Sequence, residues 1–170
     1  MDTNKTRCYW PVDFRLFTFA IIAMLAGLAY YWFTRPSGST AFLAFLPAFP
    51  SDQDSAFFGR WFGWLPTFTH VFAFTLLTYL ALARRHILFA CLLWAGINIL
   101  FELGQALSPE MIRLLPDIFN LHSYLSRGIF DPLDLVASVI GAWAAWEIVH
   151  RLAPEGGQTE VNDHEKDSEK

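Results

Sequence analysis

The sequence predicts an all-α integral membrane protein, a bundle of four transmembrane helices with interfacial, aromatic-rich outer loops. Three observations carry this prediction. The chain of 170 residues is 54% hydrophobic and 17% aromatic but only 16% charged, with a mean hydropathy of +0.33, a balance unlike that of a soluble domain of this size. Four of its apolar runs are long and apolar enough to cross about 30 Å of hydrocarbon as helices, which takes roughly 17–25 residues each. Arginine, proline and glycine punctuate the chain between those runs.

The first run, Leu16–Phe33, follows Lys5, Arg7 and Arg15 as a signal peptide would. It is longer than a usual signal core and no small-residue cleavage site follows promptly, so a retained span is expected. Arg35-Pro36-Ser37-Gly38 stops it. The second and third runs, Thr67–Ala83 and Ile87–Leu107, are separated by Arg84-Arg85-His86, read as a tight turn. The fourth is Leu133–His150. These spans define one membrane domain over residues 1–153, and residues 154–170 form a separate tail. That tail is acidic and free of aromatic residues, too polar to bury a core, so a disordered extension is expected. Without it, acidic and basic residues balance and no basic stripe suggests nucleic acid.

Between the first two spans, AFLAFLPAFP and FFGRWFGWLP are rich in Phe and Trp but broken by Pro47, Pro50, Gly59, Gly63 and Pro66. Segments this short between breaks lie in the interface, where the rings of Trp61 and Trp64 are at home. MIRLLPDIFNLHSYLSRGIFDP, after the third span, reads the same way. Lysine and arginine in the flanks set the orientation. With both termini in the cytoplasm, Lys5, Arg7, Arg15, Arg84, Arg85 and Arg151 lie inside, against Arg35, Arg60, Arg113 and Arg127 outside. Cys8 and Cys91 match no disulfide framework or zinc spacing, and neither a metal nor another cofactor is expected.

Polar residues within these apolar runs are costly and need a reason. Antiparallel spans bring His70, Glu102, Gln105, Arg127, Asp131 and Asp134 to one end of the bundle, the outer end by the arginine count. Glu102 and Gln105 are three apart and share a helix face, as do Asp131, Asp134, Ser138, Gly141 and Ala145 along the fourth span. Asp131 before Pro132 also suits an N-cap, with the small residues below admitting a close neighbour. Glu102 has two readings: a buried ion pair with Arg127 that fixes helix packing, or part of a polar pocket open to the outer leaflet. In the pocket reading His70, Glu102 and Asp134 transfer protons or hold an ion, and Arg127 meets an anionic group. His70 alone reads more simply as an interfacial residue at a helix start. Asn98, nearer the bilayer middle, is expected to hydrogen-bond another helix. Glu110–Arg113 and Glu147–Arg151 have the spacing of exposed ion pairs.

The order His70-x-Phe72, then Phe101-Glu102-x-x-Gln105, then Arg127-x-x-x-Asp131-Pro-x-Asp134-x-x-x-Ser138-x-x-Gly141 resembles the signature of the VanZ-like family of small bacterial multi-pass membrane proteins. The resemblance covers about half the chain, residues 67–146. It implies the bacterial inner membrane, a cell-envelope role and a link to glycopeptide (teicoplanin) susceptibility. It also implies a polar site at His70, Glu102, Gln105, Arg127, Asp131, Asp134 and Gly141, but no known reaction. Two positions depart from the family pattern. PTFT stands where a charged residue often precedes the histidine, which removes a polar partner, and Ser138 stands where asparagine is usual. The expected partners are membrane lipids, with a lipid-linked or glycan headgroup at the pocket. A membrane enzyme acting on a lipid headgroup and a purely structural assembly subunit are the alternatives.

Overall fold

The computed structural model describes residues 12–34 and 61–152, apart from the side chains of Phe119 and Arg127. The first outer loop up to Arg60, the tail and Cys8 lie outside the described residues. Four principal helices form: α1 (Val12–Thr34), α2 (Leu65–Ala81), α3 (Ile87–Gln105) and α6 (Pro132–Leu152). Between α3 and α6 lie α4 (Pro109–Ile112), a 3-10 turn (Ile118–Asn120) and α5 (Leu121–Arg127). The described residues contain no strand.

Three helices, α1, α3 and α6, are long and apolar enough to cross a membrane, the mark of a membrane protein. Their outward faces carry large apolar side chains, among them Ile22 and Leu25 on α1, Leu92 and Leu100 on α3, and Val139 and Trp143 on α6. Apolar surface on this scale suits lipid rather than water.

The predicted second span is the exception. Instead of running from Thr67 to Ala83, α2 covers Leu65–Ala81, 17 residues, or about 25 Å at 1.5 Å per residue, short of the hydrocarbon core. Its end is set by backbone conformation: Ala83, Arg84 and His86 all take left-handed φ of 51°, 61° and 61°. The amides of Arg84 and Arg85 turn back to Tyr79 and Leu82. The tight turn at Arg84-Arg85-His86 therefore forms, and it consumes the last residues assigned to the span.

Burial explains how α2 manages with this length. It packs against α1, α3 and α6, and Val71, Ala73, Thr75 and Leu76 are wholly buried. One core joins Leu16 and Ala20 of α1 to Phe72, Ala73, Leu76 and Tyr79 of α2 and to Ala145 and Val149 of α6. A second, at the junction of α2, α3 and α6, contains Val71, Cys91 and Ala142. There the Cys91 thiol donates to the Ala142 carbonyl at 3.4 Å. Trp94 ties α3 to α2 by donating to the Thr78 hydroxyl at 2.8 Å. Asn98, expected to reach another helix, instead donates to Trp94 O one turn back at 3.0 Å. That local bond satisfies its amide without a partner helix.

Thr75 is fully buried and its hydroxyl has no hydrogen-bond partner. An orphaned buried hydroxyl costs about 1–3 kcal/mol. Thr75→Val keeps the shape and removes the orphan. We expect it to raise the melting temperature of the detergent-purified protein by roughly 2–4 °C per kcal/mol recovered.

Candidate functional site

The site forms where the end of α3 meets the start of α6. Glu102, on the last turns of α3, is only 8% exposed. Its Oε1 accepts the backbone N–H of Asp131 at 2.5 Å. Asp131 in turn caps α6, its Oδ1 accepting from Leu133 N–H at 2.9 Å, with Pro132 opening the helix. Glu102 thus holds the loop residue that holds the helix start. The ion pair expected with Arg127 involves a side chain outside the described residues.

One turn deeper, Asp134 is partly buried, and its Oδ1 is fully enclosed without a hydrogen-bond partner. The Thr67 hydroxyl of α2 lies beside this carboxyl, with Glu102 and Asp131 in electrostatic range. Three carboxyl groups therefore meet at one end of the bundle. Thr67 belongs to the PTFT stretch, expected to lack a polar partner before the histidine; it supplies one.

The other expected site residues divide. Gln105 lies close over Gly128, where a Cβ would collide with its side-chain amide, so it lines the same end of the bundle. Ser138 is buried, but its hydroxyl donates to the Asp134 backbone carbonyl at 2.9 Å within α6, so it is not aimed at the site. His70 packs against aromatic rings. Its ring lies 4.4 Å from Phe74 and 6.0 Å from Trp94, edge to face with the latter, while Phe74 and Trp94 are 4.6 Å apart. The face of α2 that carries His70 is thus committed to an aromatic cluster with the middle of α3. Among the described residues, no three His, Cys, Asp or Glu side chains gather as a metal-ion ligand set.

Tyr124, on α5, was not singled out by the sequence. Its ring stands edge-on to Phe101 at 5.3 Å, at the rim of the carboxylate cluster. Burial, and then the charges of Glu102 and Asp134, push its phenol above the usual tyrosine range. The fold therefore favours the neutral phenol, and this contribution is complete below about pH 10 and falls away as the pH rises beyond it. In an ultraviolet absorbance titration, we expect the phenol lost in Tyr124→Phe to ionise above free tyrosine, and Asp134→Asn to bring it part of the way back.

The loop that carries Tyr124 is built locally. Ser108 caps α4 by accepting from Met111 N–H at 3.4 Å, and its hydroxyl holds the Glu110 carboxyl below the usual range. Glu110 thus turns to Ser108, and the expected pair with Arg113 does not form among the described residues. Asp117 accepts from His122 N–H at 3.1 Å, and the His122 ring bonds Leu115 O at 2.7 Å. The Glu147–Arg151 pair is present, at 2.5 Å. No family model, curated protein or solved structure matches the chain.

Proposed function

We propose that the chain is a VanZ-like cell-envelope membrane protein of four spans, with its acidic end at the outer face of a bacterial inner membrane and both termini in the cytoplasm. That end would bind the hydroxyl-rich headgroup of a glycolipid or lipid-linked glycan. The observation that carries this reading is the enclosed, unpartnered Oδ1 of Asp134 beside Glu102 and Asp131. A group of acceptors short of donors suits a ligand that brings hydroxyl protons. Tyr124 and Gln105 would line its approach, and Arg127 would meet a phosphate or carboxylate. Arg84, Arg85 and Arg151 lie at the opposite end of the helices, which supports the orientation. A role in glycopeptide susceptibility belongs to the same proposal and rests on the family resemblance alone. The enzyme alternative is the weaker one, since the His70 ring is engaged by Phe74 and Trp94.

The test uses purified full-length protein in nanodiscs, with a diglucosyl diacylglycerol as probe. The probe is expected to raise the melting temperature of the wild type, Asp134→Asn to abolish the rise while keeping wild-type helicity, and Arg127→Ala, whose anionic partner this neutral probe lacks, to leave the rise in place. No rise in the wild type, or a rise unchanged in Asp134→Asn, would overturn the proposal.

A further inference from the structure

A second feature lies at the end of the bundle opposite the carboxylates and is independent of them. An open groove of about 660 Å³ runs between the start of α1 and the end of α2, lined by Asp13, Phe14, Phe17, Leu80, Ala83 and Arg84. Its floor is apolar and its rim carries one charge of each sign. Arg84 Nε meets Asp13 Oδ1 at 3.3 Å, and both side chains are about half exposed. An ion pair this exposed contributes little to folding. Because Arg84 approaches through Nε, its terminal amino groups remain as donors. The left-handed backbone at Ala83 and Arg84 fixes the direction in which Arg84 leaves the turn.

We propose that this groove seats one phospholipid of the surrounding bilayer with a zwitterionic, primary-amine headgroup. Its phosphate lies on Arg84, its ammonium on Asp13, and the start of one acyl chain against Phe17 and Leu80. Charge complementarity selects this occupant. A zwitterion meets both signs at once, whereas an anionic headgroup satisfies Arg84 and is repelled by Asp13. A quaternary ammonium carries the right charge but has no N–H to donate to the carboxylate. The volume is within the range of small-molecule sites, enough for a headgroup and the first part of a chain.

Native mass spectrometry of the full-length protein, given phosphatidylethanolamine, phosphatidylcholine or phosphatidylglycerol with identical acyl chains, tests this. The wild type is expected to retain the ethanolamine lipid about two- to fivefold better than the others, the scale of exposed charge pairs. Asp13→Asn should erase that preference, and Arg84→Ala, which removes the phosphate contact common to all three lipids, should weaken retention of each, with melting temperature and helicity measured on the same samples to confirm the fold. Equal retention of all three lipids, no retained lipid, a preference undiminished in folded Asp13→Asn, or retention unchanged in folded Arg84→Ala would overturn the proposal.

Discussion

Gly141→Leu is expected to lower the stability of the detergent-purified protein by about 3 kcal/mol. A Cβ at this position would stand 2.8 Å from the Phe68 carbonyl oxygen and 3.4 Å from the Phe72 amide nitrogen. The obstacle is the backbone of α2, which cannot rotate aside as a side chain can. The two helices would have to separate, opening the core that contains Phe72, Ala73 and Ala145. Replacing glycine within a helix recovers up to about 1 kcal/mol of propensity, too little to offset the separation. Gly27→Ala on α1 is the control: its Cβ would meet the Thr69 hydroxyl at 2.5 Å, a side-chain atom that can turn away, so the loss should be much smaller. Thermal or urea unfolding of the two variants side by side checks the contrast, and equal losses would mean that α6 and α2 do not approach backbone to backbone.

Glu102→Ala is expected to cost about 2–3 kcal/mol, since it orphans the Asp131 amide and leaves a cavity in a buried site. Glu102→Gln keeps an acceptor for that amide and removes one charge from the carboxylate group, so it should cost far less than alanine. Asp134→Asn should not destabilise, because Oδ1 makes no hydrogen bond, the amide oxygen can still accept from Thr67, and the residue lies among like charges. The pattern expected in unfolding experiments is therefore a large loss at Glu102→Ala, a small one at Glu102→Gln and none at Asp134→Asn. Such a pattern separates a carboxylate that builds the loop from one that folding does not require, and places any ligand on the second. If Asp134→Asn were as damaging as Glu102→Ala, the cluster would be architectural throughout.

The sequence made the helices legible because apolar runs and their breakers are separately visible: α1, α3 and α6 fall within a few residues of the expected spans. The early end of α2 was hidden, since alanine and arginine rather than glycine adopt the left-handed turn. Antiparallel order alone brings Glu102, Asp131 and Asp134 to one end. How each helix is rotated about its own axis is decided by packing partners distant in sequence. Hence the packing of the His70 ring on Phe74 and Trp94 was not visible in the sequence. Thr67 and Tyr124 escaped notice because nothing in their local sequence marks them; only the approach of α2 and α5 to α6 gives them a role.

The enclosure of the short helix α2 bears on how the protein is made. A helix of 17 residues with two wholly or largely buried threonines, Thr69 and Thr75, is a poor substrate for independent release into lipid. The turn after Ala81 joins it directly to α3, which is long and apolar enough to cross. The two are therefore suited to enter the bilayer together as a hairpin, with α3 carrying its shorter neighbour. The Gly141 contact with the backbone of α2 can then close only after α6 has been synthesised, whereas the Gly27 contact from α1 is available earlier. Until that moment the partly assembled chain leaves the side of α2 around Phe68, Val71 and Phe72 uncovered, and it is at this stage that an insertion chaperone or a quality-control protease would find it.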